Sequence, residues 1–126
     1  MRICKLKAFA RFQRKERLSD ASLATAIRNA EDGLVDADLG SGLIKQRIAR
    51  AGQGKSGGYR TVVAFRRGER AVFLFGFAKN ERSNIDGEEL QEFRRLAHVF
   101  LELNTRQIAV LIEDNELMEV SDDETN

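Results

Sequence analysis

The sequence predicts an α+β domain, a small antiparallel sheet of about four to five strands packed against two to three helices. Two observations carry this expectation. Three short runs rich in β-branched and aromatic residues, 43–48, 61–65 and 71–78, follow one another with only turn-forming stretches between them, the composition of adjacent pleated strands. Helix-start signals flank this trio, with Ser19 before Asp20 on one side and Asp86 three positions before Glu89 on the other. At 126 residues and 42% hydrophobic content, the chain is long enough to bury one core without disulfides. The expected organisation is a single domain over residues 1–120, then an acidic frayed tail at 121–126.

Taken in order, residues 1–12 alternate Ile3, Leu6 and Phe9 with Arg2, Lys5, Lys7 and Arg11, which predicts an edge strand running into a short basic segment. The spacing of Phe9 and Phe12 also allows a helical turn toward Glu16. A helix over 20–31 follows from the Ser19 cap, from Leu18 and Leu23 at staple spacing, and from Leu23, Ile27 and Ala30 on one face. Gly33 is placed to stop it in a left-handed conformation. Residues 34–42, with Asp36, Asp38, Gly40 and Gly42, read as a turn-rich connection.

In the first strand of the trio, Ile44 and Ile48 share one face, and Lys45 and Arg47 the other. In the second, Arg60, Val62, Ala64 and Arg66 share a face. The third alternates Phe73, Phe75 and Phe77 with Val72, Leu74 and Gly76, so it is expected to be central and buried on both sides, with Lys79 emerging at its end. The spacing of Leu90, Phe93, Ala97, Phe100 and Leu101 predicts a helix docked on the sheet. A shorter helix from Asn104-Thr105 to about Asp114 and a short strand over 117–120 complete the reading.

Charge is distributed unevenly. The chain carries a net +1, yet residues 43–82 hold ten Lys or Arg against only Glu69 and Glu81, residues 1–17 hold seven against Glu16, and residues 113–126 hold seven acids and no base. Near-neutrality therefore conceals a polarised molecule with a strongly basic middle. The acidic end, Glu113 to Glu124, could lie near that basic stretch and weaken its binding of a polyanion at low salt. The lone Cys4 cannot form an internal bridge, residues 1–17 do not resemble a secretion signal, and the longest apolar run, 71–78, is far below the roughly 20 residues of a membrane helix. A cytoplasmic location without a membrane partner is expected.

Gly54-Lys55-Ser56 ends like a phosphate-binding P-loop, but Ala49 stands where the motif needs its first glycine, and a β-branched strand follows in place of a helix. The stretch 52–60 reads instead as a glycine-rich hairpin loop, either simply solvated or offering its amides and Lys55 to an anion. One Cys and one His fall short of a metal-ligand set, so neither metal nor cofactor is expected. His98 lies mid-helix beside the apolar stripe, the setting of a packed or solvent-facing histidine. What remains is Lys45, Arg47, Arg50, Lys55, Tyr59, Arg60, Lys79 and Arg82 around the strand trio. Such a set can bind a polyphosphate backbone. It can also cleave one if the backbone is RNA, whose 2′-hydroxyl is a built-in nucleophile, because Arg and Lys can neutralise the phosphorane charge.

Three segments, Lys45-Gln46-Arg47-Ile48-Ala49-Arg50, Lys55-Ser56-Gly57-Gly58-Tyr59-Arg60 and Gly76-Phe77-Ala78-Lys79-Asn80-Glu81, resemble the RelE/ParE superfamily of bacterial toxins, nearest its HigB-like RelE branch. The resemblance extends over most of the chain. It implies a curved antiparallel sheet, a cognate antitoxin that is a small helix-turn-helix protein and alone contacts operator DNA, and metal-independent cleavage of mRNA in the ribosomal A site. By motif, Arg47, Arg60 and Lys79 match the family's catalytic positions, with Lys45, Arg50, Lys55, Tyr59 and Arg82 as RNA-binding residues. No histidine or tyrosine follows Val120, so the general acid and base are not assigned. The alternative reading is a non-enzymatic toxin or binding module, either a gyrase inhibitor like the ParE side of the superfamily or a basic nucleic-acid binder.

Overall fold

The computed structural model describes residues 1–50 and 54–121, with the backbone alone for 54–56. Ten elements follow in order: β1 (Arg2–Leu6), α1 (Lys7–Glu16), α2 (Asp20–Glu31), β2 (Ala37–Gly40), β3 (Leu43–Arg50), β4 (Gly54–Arg66), β5 (Arg70–Ala78), α3 (Gly87–Glu102), α4 (Thr105–Glu113) and β6 (Leu117–Glu119). The strands form one open, curved sheet in the order β2-β3-β4-β5-β1-β6. The α+β class and the three adjacent antiparallel strands stand as expected. The sheet has six strands where four to five were expected, and the four helices exceed two to three.

The additional elements arise where local pattern is short. β1 is an inner strand, parallel to β5 and antiparallel to β6, so the sheet is mixed and the N-terminus is not an edge. A parallel partner 68 positions away, as Arg2 is from Arg70, leaves no local mark, because the pairing needs a long crossover. The basic segment after β1 is a ten-residue helix whose buried side is only Phe9, Ala10 and Gln13. Within the stretch 34–42, β2 pairs with β3 despite its Asp and Gly content.

Two cores lie on opposite faces of the sheet. α1 and α2 cover Ile44, Ile48, Tyr59, Val63 and Phe73, whereas α3 and α4 cover Leu43, Val62, Ala64, Val72 and Leu74. The caps predicted at Ser19 and Asp86 are present, and Asn104 adds a third at the expected start of α4. Ser19 Oγ accepts the Ser22 amide at 3.1 Å, and Asp86 with Glu89 and Asn104 with Gln107 form reciprocal capping boxes. α3 lacks a basic residue in its last turn. Arg70, from β5, donates to the carbonyls of Phe100 and Leu103 at 2.7 and 2.6 Å, and Arg66 to that of Leu101 at 2.8 Å, placing cations at the negative helix end.

A polar knot ties the N-terminal elements together. Lys5 is buried on β1 and donates to Gln13 Oε1 at 2.6 Å and to Asp20 Oδ1 at 2.9 Å. Gln13 Nε2 reaches the same Asp20 oxygen, and the Ser121 amide donates to Asp20 Oδ2 at 3.0 Å. The first residue of the expected frayed tail is thus attached to the N-terminus of α2, while 122–126 lie outside the described residues. β6 pairs with β1 on the side away from the basic strands. Glu119 pairs there with Arg2 at 3.3 Å.

Candidate functional site: a cationic row across the sheet

β3, β4 and β5 bring their charged residues into register. Arg47 lies opposite Arg60, and Arg60 opposite Phe77; one row on, Lys45, Val62 and Phe75 align in the same way. Directly opposed strand residues point to the same face, so Lys45, Arg47 and Arg60 share the α3 side of the sheet. Lys79 follows directly on the end of β5, and its amide donates to the Gly58 carbonyl at 3.1 Å.

A β-bulge completes this alignment. Val62 pairs with Phe75 and Val63 with Phe73, which leaves Leu74 as an extra residue and reverses the alternation after it. The single face expected for Phe73, Phe75 and Phe77 is therefore corrected. Phe73 packs under α1, in contact with Phe9, whereas Phe75 stacks on Phe93 of α3 with ring centroids 5.2 Å apart. Gly76 turns to the α1 face, where a Cβ would come within 2.4 Å of Phe12.

Like charges directly opposite one another in a sheet repel. Arg47 is exposed and is held at 3.1 Å by Asp36, a residue the sequence reading did not single out. Arg60 is only 6% exposed, and its one bond is from Nη1 to the Tyr59 carbonyl at 3.4 Å. Among the described residues no buried side-chain nitrogen or oxygen lacks a partner, so the unbonded guanidinium nitrogens of Arg60 open to the surface. Among the described residues no carboxylate pairs with this cation, which leaves it able to accept an anion.

Arg82 is fully engaged. Its guanidinium lies 5.6 and 5.4 Å from the Phe75 and Phe77 ring centroids, pairs in bidentate fashion with Glu89, and donates from Nε to the Asn84 carbonyl at 3.0 Å. The Glu89 carboxyl is held below its usual range by the Arg82 bond and the Asp86 amide. The arrangement clamps the 79–89 loop onto the sheet.

The structure divides the remaining candidates. Tyr59 faces α1, is 2% exposed and meets Phe12 edge-on, and Arg50 lies over its ring at 5.7 Å. Burial raises the Tyr59 phenol, with Glu16 acting in the same direction, so it stays protonated. Neither residue joins the Arg47–Arg60 face. The Lys55 side chain lies outside the described residues, and so do 51–53 of the expected hairpin loop. The rest of that loop is corrected, because strand β4 begins at Gly54. At Gly58 a Cβ would meet the Ile48 carbonyl at 2.4 Å, which explains a glycine inside a strand. His98 is exposed on α3. Among the described residues no His, Cys, Asp or Glu group is placed to hold a metal ion, and no helix is long and apolar enough to cross a membrane.

A mixed sheet with helices on both faces and a row of cations crossing its central strands defines a small α+β domain built around a basic sheet end. The chain belongs to the RelE family: the family model described as RelE toxin of RelE / RelB toxin-antitoxin system matches residues 1–120. The protein is therefore a toxin of a toxin–antitoxin system, with an antitoxin as its partner. A search of curated proteins returns no match.

Proposed function

We propose that this toxin, of the HigB-like branch, is an endoribonuclease that cuts mRNA in the ribosomal A site. Arg47, Arg60 and Lys79 would bind the scissile phosphate, with Lys45 alongside on the same face. The observation that carries the reading is the Arg47–Arg60 pair, two opposed cations of which one has a carboxylate and the other only a carbonyl. An RNA phosphate supplies the missing negative charge. In the reaction the 2′-oxygen attacks the adjacent phosphorus, the bond to the 5′-oxygen breaks, and a 2′,3′-cyclic phosphate and a 5′-hydroxyl result. The cations lower the barrier by stabilising the dianionic phosphorane. The antitoxin of this reading is a small helix-turn-helix protein that alone contacts operator DNA.

Induction of the toxin followed by mapping of transcript ends tests the reading. New 5′-hydroxyl ends within translated frames, lost in Arg60→Ala, are expected. Intact mRNA with arrested growth and accumulated DNA breaks would instead establish the gyrase-directed alternative.

A further inference from the structure

On the face of the sheet opposite the Arg47–Arg60 row, α1 carries a second cationic surface. Lys7, Arg11, Arg14 and Lys15 recur at i, i+4, i+7 and i+8, one stripe of the helix, and Arg17 follows at its C-cap. All five are exposed, and none forms an ion pair with a described residue. Glu16, the one acid of the helix, acts on buried Tyr59 and does not neutralise the stripe.

Helix electrostatics account for only part of this surface. Arg14 and Lys15 sit in the last turn, where cations are favourable, but Lys7 opens the helix at its positive end and Arg11 is in the middle. Arg17 adopts φ 58, a left-handed conformation that glycine takes at less cost.

We propose that the outer face of α1 is a separate phosphate-binding surface that grips the backbone of base-paired RNA. The choice of RNA over other polyphosphates rests on the function proposed above. The stripe spans about 12 Å at ~1.5 Å rise per residue, with cations about a turn apart, a rigid array suited to successive phosphates of a paired strand. Phe9 turns into the core and Phe12 packs against it, so the stripe offers no apolar wedge to a membrane. It also presents no aromatic or Met anchor of the kind that centres a protein interface. The cleaved strand at Arg60 lies across the sheet, so the two surfaces hold different parts of the RNA partner.

The test is fluorescence anisotropy of a labelled RNA hairpin with a fully paired stem, titrated at several salt concentrations. The protein tested should be the full chain carrying Lys7→Gln, Arg11→Gln, Arg14→Gln and Lys15→Gln. Its slope of log affinity against log salt should fall by about 3 relative to the unsubstituted chain, with the melting temperature retained. A charge-matched comparison sets Arg11→Gln with Arg14→Gln against Arg67→Gln with Arg106→Gln. Equal slopes for the two pairs overturn the proposal, as does a stripe variant that loses binding to poly-glutamate while keeping the hairpin. Arg60→Ala separates the two readings, because it should lower cleavage by about 10²–10³-fold and leave the α1-dependent part of the hairpin slope unchanged. If the unsubstituted toxin cuts no mRNA but its hairpin binding follows the stripe, the proposed function fails alone.

Discussion

Arg60 is the residue on which the proposed function rests most, since its guanidinium meets the sheet through one carbonyl contact. Arg60→Ala should lower the single-turnover cleavage rate on programmed ribosomes by about 10²–10³-fold, the scale of removing one oxyanion donor, with circular dichroism unchanged. The partners that hold this site were not readable beforehand. Asp36 and Glu89 looked like a loop acid and a capping residue, and their pairing with Arg47 and Arg82 depends on how distant segments meet. The same is true of the Lys5–Gln13–Asp20 knot. Burial pushes the Asp20 carboxyl up, but the bonds from Gln13, Lys5 and the Ser121 amide outweigh it and leave the group below its usual value. Its folded pKa is thus depressed, so its contribution is present above the unfolded carboxyl range and is lost as pH falls through the folded value. Thermal melts should show stability declining below about pH 4. Asp20→Asn should flatten that decline and cost about 1–3 kcal/mol at neutral pH, because Lys5 loses its charged partner.

At the scale of elements, helix ends and strand cores behaved as their residues indicate. Ser19, Asp86 and Asn104 cap because their side chains satisfy amides within three residues, an interaction complete within a few positions of sequence. The bulge at Leu74 is different. Nothing in an unbroken apolar run marks which residue is extra, because that depends on the register with β4. Its effect is to send Phe75 and Phe77 to the face of Arg60 and Gly76 to the face of α1. Gly76→Ala tests this geometry, since its Cβ would lie 2.4 Å from one Phe12 ring carbon and 2.7 Å from another. Urea unfolding should show a loss of about 1–3 kcal/mol from overpacking; a neutral substitution would place Gly76 on the other face. The end of α3 likewise depends on Arg66 and Arg70 from the sheet, about thirty residues away. Arg70→Met, which removes two carbonyl contacts, should destabilise by about 1–2 kcal/mol in the same assay.

For the whole molecule, the sheet acts as a partition. Six of the eight residues that the sequence grouped together are divided by it: Lys45, Arg47 and Arg60 on one side with Arg82 over Phe75 and Phe77, and Arg50 and Tyr59 on the other. Substitutions should divide the same way. Lys79→Gln and Lys45→Gln should each slow mRNA cleavage by about tenfold or more, whereas Arg50→Gln and Tyr59→Phe should stay within about threefold. Comparable losses on both faces in a ribosome cleavage assay would refute the partition. Glu119 of β6 is also set apart: β6 lies four strand spacings from β3 in the sheet order, roughly 19 Å at ~4.8 Å per strand, and Glu119 pairs with Arg2.

The α+β class, the helix caps, the antiparallel trio and the basic character of its strands could all be read from the chain. Each follows from interactions between residues close in sequence, or from alternation along a single strand. The parallel seat of β1, the bulge in β5, the ion pairs on Arg47 and Arg82 and the side of the sheet each cation occupies could not. These depend on register between distant segments, where a shift of one residue reverses every side chain. The toxin reading rested on the resemblance of three segments to a known family, and a basic composition was enough to suggest a phosphate-binding surface. Its separation into a row at Arg47–Arg60 and a stripe on α1 required the packed sheet, because only the pairing of strands assigns each charge to a face.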